Sequence, residues 1–557
     1  MINRYYNLVK STVRKALGNE NDWLKKLNKI EKEIKKSETK IQRKQLRVLT
    51  GPSFAIYPPS FAMDRALSLA LRLKGVEVIP MYCDSIQHVE CNFLGGEWGG
   101  KEHFSKNCEN CKKRSEQLWQ HNPNKPIPLS RYLSNADIEQ IAAIVSVLGF
   151  DEALSFKKDG IEYGALAKDI LVNNYLVATP ALIEHHEYLI KMHLQNLLMV
   201  SLTYERILDE QKPDRVVSND SYYGMWAILE QHCKARAIPY YSHWPVTKNR
   251  VAFAHNDAAM NLDFTKLWPN FSKIALTAAD EEKIEKWLTG ERGLVIDTTK
   301  LAGHESDEPV LNTIDPHRPT LVLAANVIWD LAALNKQILF KDMIEWIIET
   351  IEWFRQNKDF QLIIRPHPAE TSPQIPRTRE TVAAAIKLSG VQLPGNVFLL
   401  KPDAKVTFNE LVAKFNVRGV AVHTTTVGFE CPARGLPVVT TAKSPYRGFG
   451  FTIDPSSKQE YFLCIRDLLT GDRKSVTDSS RELARKFIKF YQYHYYSDTG
   501  LFAESLFSTG SVIGSLPQIA DNFVDILGDD EGPFGYVVNS IIEGLPINGH
   551  DRWLPQS

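Results

Sequence analysis

A chain of 557 residues is too long for one ordinary core, and at roughly 100–200 residues per domain it calls for two to four units. Hydrophobic residues at 44% and charged residues at 24% give the balance of a soluble globular protein. Lys+Arg and Asp+Glu stand at 66 each, which gives no sign of a nucleic-acid binder, and seven cysteines in this length exclude a disulfide scaffold.

Charge is unevenly spread along the chain. Residues 1–47 hold fourteen Lys/Arg against five Asp/Glu, and "WLKKLNKIEKEIKKSETKIQRKQ" sets Trp23, Leu24, Leu27, Ile30 and Ile34 near helical spacing. This basic helical segment has two readings. It is a solvated helix packed on the body, or it rests on an acidic surface and gives peripheral association with the inner membrane. No run approaches about 18 apolar residues, and "MINRYYNLVK" lacks the apolar core of a secretion signal. A cytoplasmic protein, at most at the cytoplasmic face of the membrane, is the expectation.

From residue 48 strands and helices alternate. "LRVLTGP" reads as a strand, "SFAMDRALSLALRLKG" as a helix ended by Gly75, and "VEVIPMYC" as a strand. Residues 165–210 read as mainly helical. "DRVVSND", "SYYGMWAILEQHCKARA" and "IPYYSHW" repeat the strand–helix–strand pattern of a parallel sheet covered on both faces. This makes 48–302 one Rossmann-like domain. The polar, aperiodic stretch 303–319 reads as a linker. A second Rossmann-like domain, 320–480, starts with "TLVLAANV" and the helix "ILFKDMIEWIIETIEWFRQN". Residues 481–557 form a C-terminal extension, helical at first and irregular after Asp498.

Ligands of open parallel sheets bind outside the carboxyl ends of the strands. At one such end, "IIRPHP" places Arg365 and His367 two residues apart, each held extended by a following proline. An arginine fork and a histidine facing one space suit a phosphate, against the plainer reading of a strand end stopped by prolines. "VAVHTTTVGFECPARGLPVV" puts Thr424, Thr425 and Thr426 before a helix opening at Val427–Gly428. Backbone N–H groups and hydroxyls there form an anion site, Gly428 permits close approach, and Glu430 can accept from ribose hydroxyls. An ordinary threonine cap completed by Glu430 is the alternative. "SPYRGFGFTID" offers Tyr446 and Arg447 on a glycine loop, or a surface turn. "NVIWD" places Asn326 and Asp330 at the end of the second domain's first strand, where Asp330 could equally cap the next segment.

Cys83, Cys91, Cys108 and Cys111 are spaced C-x7-C-x16-C-x2-C. Four thiolates can hold a structural tetrahedral zinc; reduced thiols, or a redox or iron–sulfur role, are the alternatives. "GGEWGG" between them reads as a flexible loop near an acceptor.

"RPHP", then "TTTVGFECPARGLPVV" some 60 residues on, then "YRGFGFT", resembles the capsule polysaccharide biosynthesis family of bacterial glycosyltransferases, related to Kdo- and sialyl-transferases. The matched motifs cover 320–465, and "KDGIEYGALA" and "RVVSNDSYYG" extend the resemblance more loosely into the first domain. The resemblance implies a GT-B-like α/β fold, with two Rossmann-like domains facing across a cleft. It implies a nucleotide-sugar donor, CMP-linked by analogy, and a saccharide or glycolipid acceptor in surface polysaccharide synthesis. It gives His367 and Thr424–Thr426 to the donor phosphate and Glu430 to the nucleotide sugar. Transfer also needs stabilised negative charge on the leaving phosphate and a base for the acceptor hydroxyl. Asp220, at the end of "RVVSND", is the first choice for that base, with an ordinary turn or cap aspartate as its plainer reading and Asp64 and His243 as alternatives. No DxD pattern stands in a metal-binding context, so a metal-independent reaction is expected. A glycerol-phosphate transferase, a sugar-nucleotide epimerase and a non-catalytic nucleotide-sensing adaptor are the competing functions.

Overall fold

The computed structural model describes residues 25–27, 29–36, 44–53, 55, 57–87, 90–99, 103–222, 224–247, 250–289, 309–330, 333–371, 376–472, 476–502 and 519–547. Its strands are β1 (Arg47–Ser53), β2 (Glu77–Tyr82), β3 (Ile127–Pro128), β4 (Arg215–Asn219), β5 (Tyr240–Thr247), β6 (Arg250–His255), β7 (Thr320–Ala324), β8 (Gln361–Arg365), β9 (Val397–Leu399), β10 (Val417–Val422), β11 (Val438–Thr440) and β12 (Ser497–Asp498). The chain divides into two compact units. One takes Met1–Asn174, Glu184–Asn261 and Tyr495–Trp553; the other takes Tyr175–Ile183, Leu262–His494 and Leu554–Ser557. Both are α/β units with parallel-dominated sheets, as expected.

In the first unit the sheet order is β12-β6-β5-β4-β1-β2-β3, parallel from β5 to β3. β6 and β12 join antiparallel at one edge. The helix Pro58–Leu73 (α1) packs its apolar side on the sheet, with Phe61, Met63, Ala66 and Leu67 at 1% exposure or less. The described residues 25–36 of the basic N-terminal segment, apart from Asn28, contribute to this core. Leu27, Ile30 and Ile34 are buried in it, and Glu31 turns inward to pair with Arg65 and Arg72 of α1, the latter at 2.8 Å. Arg65 also lies over the Trp119 ring at 4.3 Å. This stripe is therefore unavailable for insertion into a membrane; Trp23 and Leu24 fall outside the described residues. After Asp498 the expected irregular tail contains two helices, Phe523–Gly528 and Pro533–Glu543, whose Phe523, Phe534, Val537 and Ile541 complete the same core.

In the second unit the order is β11-β10-β7-β8-β9, all parallel. The helix Met343–Gln356 (α2) starts at Asp342, whose side chain accepts the Glu345 N–H, and it buries Trp346, Ile347, Ile351 and Phe354 on the sheet. This start is later than the apolar run from Ile338 suggests. The segment Tyr175–Ile183 is captured here by Glu380, whose carboxylate accepts the N–H groups of Ala178 and Thr179 and the Thr179 hydroxyl at 2.7–2.9 Å. Residues 262–271 join through rings: Trp268 stacks on Phe449 at 5.3 Å, and Phe264 meets Phe490 at 5.0 Å. The described part of the expected linker holds a short 3-10 turn, Pro309–Thr313; residues 303–308 lie outside the described residues. No helix among the described residues is long and apolar enough to cross a membrane.

Candidate donor site

The strand order of the second unit reverses between β7 and β10. From β7 the chain runs outward through β8 and β9 on one side, then returns to place β10 and β11 on the other. Such a switch point opens a crevice at the carboxyl edge of the sheet. The register aligns Val422, Ala324 and Arg365 in one row across β10, β7 and β8. Two residues further along each strand come Thr424, Asn326 and His367. At about 4.8 Å per strand, the first turns past three neighbouring strands thus form one continuous ledge about 10 Å wide.

Asn326, only 8% exposed, accepts the Thr424 N–H on its Oδ1 at 3.1 Å and so ties β7 to the threonine turn across the switch point. Tyr446, fully buried, donates its hydroxyl to the Thr425 carbonyl at 2.7 Å and holds the turn from the other side. The carbonyls of Thr425 and Thr426 accept the N–H groups of Gly428, Phe429 and Glu430, which start the helix Val427–Ala433 (α3). Among the described residues, the N–H groups of Thr425, Thr426 and Val427 make no hydrogen bond to the protein. Thr426 makes no side-chain cap, so the plainer reading of this turn as a threonine cap is not what the structure forms.

His367 accepts the Ala369 N–H on Nδ1 at 3.1 Å. Burial, with the Arg365 cation next, lowers its pKa to about 4. It is therefore neutral near pH 7, with its proton on Nε2, which makes it a fixed N–H donor. Arg365 gives one N–H to the Ala404 carbonyl at 3.1 Å, leaving a permanent cation beside the neutral imidazole. A neutral donor, a guanidinium and a turn of backbone N–H groups along one sheet edge can together hold a phosphate.

Other expected residues take different places. Gly428 is needed by the protein itself, since a Cβ there would lie 1.9 Å from the Tyr446 hydroxyl oxygen; the close neighbour is a ring, where a ligand was expected. Glu430 is 5% exposed within α3, behind the threonine turn. Arg447 directs its guanidinium to the Thr440 hydroxyl at 2.6 Å and to the Pro455 carbonyl, tying its loop to β11. Gly448 and Gly450 do adopt left-handed φ of 83° and 88°, but the bend delivers Phe449 and Phe451 to the ring cluster around Phe487. His423 is a core histidine: it donates from Nε2 to the Ala333 carbonyl at 3.0 Å and stacks near Trp346.

In the first unit the switch point lies between β1 and β4. Asp220 follows β4 directly and accepts the Met260 N–H at 3.1 Å. Burial raises its carboxyl to about 7, with Met260 opposing and Glu230 and Asp257 adding to the rise. Asp64 and His243 meet each other, Oδ1 to Nε2 at 2.7 Å, and both are fully enclosed. Their pair fastens α1 to β5. Sequence reading named both residues but had no means of pairing them, because 179 residues separate them.

The zinc expectation is not met. Among the described residues no group of three or more His, Cys, Asp or Glu side chains could hold a metal ion. Burial pushes the Cys83 thiol up and the Cys91 thiol up to about 12, so both stay protonated. Cys91 Sγ accepts the Leu94 N–H at 2.8 Å, and Cys108 bonds to the Ser85 hydroxyl at 3.2 Å. "GGEWGG" is in part a helical turn, Gly96–Gly99, where a Cβ on Gly99 would lie 1.9 Å from the Leu94 carbonyl oxygen.

No family model matches the chain, and no curated protein matches it. Among solved structures, it is similar to KpsC of Thermosulfurimonas dismutans, a beta Kdo 2,4 transferase, at 15% identity over 57% of this chain and 88% of that one, with a TM-score of 0.32. The beta Kdo 2,7 transferase KpsC of the same organism matches at 12% identity over 51% and 79%, with a TM-score of 0.28. A UDP-GlcNAc 2-epimerase of Methanocaldococcus jannaschii, solved with UDP-GlcNAc and UDP, matches at 13% identity over 80% and 99%, with a TM-score of 0.24.

Proposed function

We propose that the chain is a glycosyltransferase that moves a sugar from a nucleotide-sugar donor to a saccharide or glycolipid acceptor of surface polysaccharide synthesis. The observation that carries the donor half is the ledge at the β7/β10 switch point, where Thr424, Asn326 and His367 occupy equivalent positions past adjacent strands. Departure of the nucleotide leaves negative charge on its phosphate. Arg365 stabilises that charge electrostatically, His367 donates from Nε2, and the turn at Thr425–Val427 offers backbone N–H groups. None of these groups has to change its own protonation state during the step.

The acceptor hydroxyl must lose a proton as it attacks. Asp220 is the proposed base, and a carboxyl raised to about 7 is matched to that task near neutral pH. The motif resemblance supports the capsule-type assignment, and a CMP-linked donor remains one member of the donor panel to be tried. Donor turnover separates the competing chemistries. Nucleotide release that requires an added saccharide or glycolipid acceptor fits a transferase. Release or sugar rearrangement at the same rate without acceptor would reject it in favour of an epimerase.

A further inference from the structure

We infer that the lysine face of residues 25–36 docks the protein on an anionic lipid surface by charge, without insertion. The inference is independent of the proposed transfer reaction. In "KKLNKIEKEIKK" the fold sorts side chains by chemistry. Leu27, Ile30 and Ile34 go inward at 1%, 7% and 1% exposure. Glu31 goes inward as well, its carboxylate shared between Arg65 and Arg72. Lys25, Lys26, Lys29, Lys32, Lys35 and Lys36 are exposed, Lys26 with its ammonium 3.5 Å from the Ile519 carbonyl, so six lysines stand against one exposed acid, Glu33, among the described residues of the segment.

A merely solvated helix commonly interleaves its signs, with Glu four residues before Lys. Here one of the two acids is withdrawn into the core, and the outer face is left nearly of one sign. At about 1.5 Å per helical residue Lys25 and Lys36 lie about 17 Å apart, so the charges lie within roughly two Debye lengths of one another and act together. The residue type narrows the partner. All six are lysines, point charges on flexible stems, and the described residues of 25–36 include no arginine fork or aromatic ring to read a base or a fixed phosphate geometry. That suits a fluid sheet of anionic headgroups, where each lysine near the surface adds about 1 kcal/mol. With the apolar stripe already buried in the protein, attachment must be electrostatic and reversible by salt.

The test is co-sedimentation of the full-length protein with vesicles of equal parts phosphatidylglycerol and phosphatidylcholine, against vesicles of phosphatidylcholine alone. The wild type should pellet with the anionic vesicles only, and should be released as salt rises well above about 0.15 M. The combined variant Lys29→Gln, Lys32→Gln and Lys35→Gln should keep the wild-type melting temperature, since these side chains are exposed, and should partition about a hundredfold less strongly. Equal pelleting with both vesicle types, or an unchanged partition in the variant, would overturn the inference. Heparin bound as tightly as the vesicles, with the same dependence on the three lysines, would also overturn it and assign the face to a soluble polyanion.

Discussion

At the scale of single residues, the proposed reaction rests on two groups whose burial moves them in useful directions. Asp220, raised to about 7, must be ionised to act as base, so turnover should climb as pH rises through about 7 and fall away below it. Asp220→Asn should lower the turnover number at least about a hundredfold with donor binding retained. Full turnover in this variant would leave Asp220 as an anchor for Met260. His367 carries the opposite sign. Its folded pKa of about 4 lies below the unfolded value near 6.5, so it favours folding while neutral, and that contribution is lost as pH falls from about 6.5 towards 4. The buried His193 and His423 and the half-buried His232 are lowered in the same way, to about 3, 4 and 4 respectively. Melting curves should show acid lability in that window, and His193→Gln should flatten it; a slope identical to wild type would show that His193 does not contribute. Gly428→Ala should destabilise by about 1–3 kcal/mol through overpacking on Tyr446, and should weaken nucleotide binding because the Thr425 turn moves with that ring.

At the scale of elements, what sequence could show and what it could not follow from range. Strands buried on both faces are short apolar runs, and parallel sheets expose their ligand edge where those runs end, so β7, β8 and β10 and the residues just past them were legible. The register that puts Thr424, Asn326 and His367 on one ledge was not, because strand pairing is set by contacts 40 to 100 residues apart. Which segments join each compact unit is likewise set by contacts far apart in the chain. Tyr175–Ile183 is held to the second unit by the Glu380 carboxylate, which accepts three hydrogen bonds from it, and by the Arg379 and Glu380 N–H groups, which donate to the Leu176 carbonyl; residues 278–288 follow because Arg485 reaches Glu281 and Glu285, the latter at 2.7 Å. Glu380→Ala should release the first of these. With two backbone donors left unpaired, the amides of Ala178 and Thr179 should lose about 2–4 kcal/mol of protection in hydrogen exchange. Unchanged exchange would mean that the segment is held without the carboxylate, by the backbone bonds to the Leu176 carbonyl and its apolar contacts. The zinc expectation failed differently: cysteine spacing in sequence does not fix the geometry of the sulfur atoms, and here Cys91 bonds to an N–H and Cys108 to a hydroxyl.

At the scale of the whole molecule, each sheet has one switch point, and both carry a proposed reaction group at the carboxyl edge: Asp220 past β4 in the first unit, and the Thr424–Asn326–His367 ledge in the second. The charge balance of 66 against 66 conceals a basic N-terminal face, which the burial of Glu31 makes more one-sided than its sequence suggests. The central claim is that the second unit holds the phosphate of a nucleotide sugar on that ledge. The most direct measurement is a thermal-shift titration with CMP, UDP, GDP and their sugar conjugates, on the wild type, His367→Ala and Asn326→Ala. One nucleotide class should raise the wild-type melting temperature, and both substitutions should abolish or strongly reduce the rise. A rise that survives both substitutions, or no rise with any member of the panel, would contradict the account.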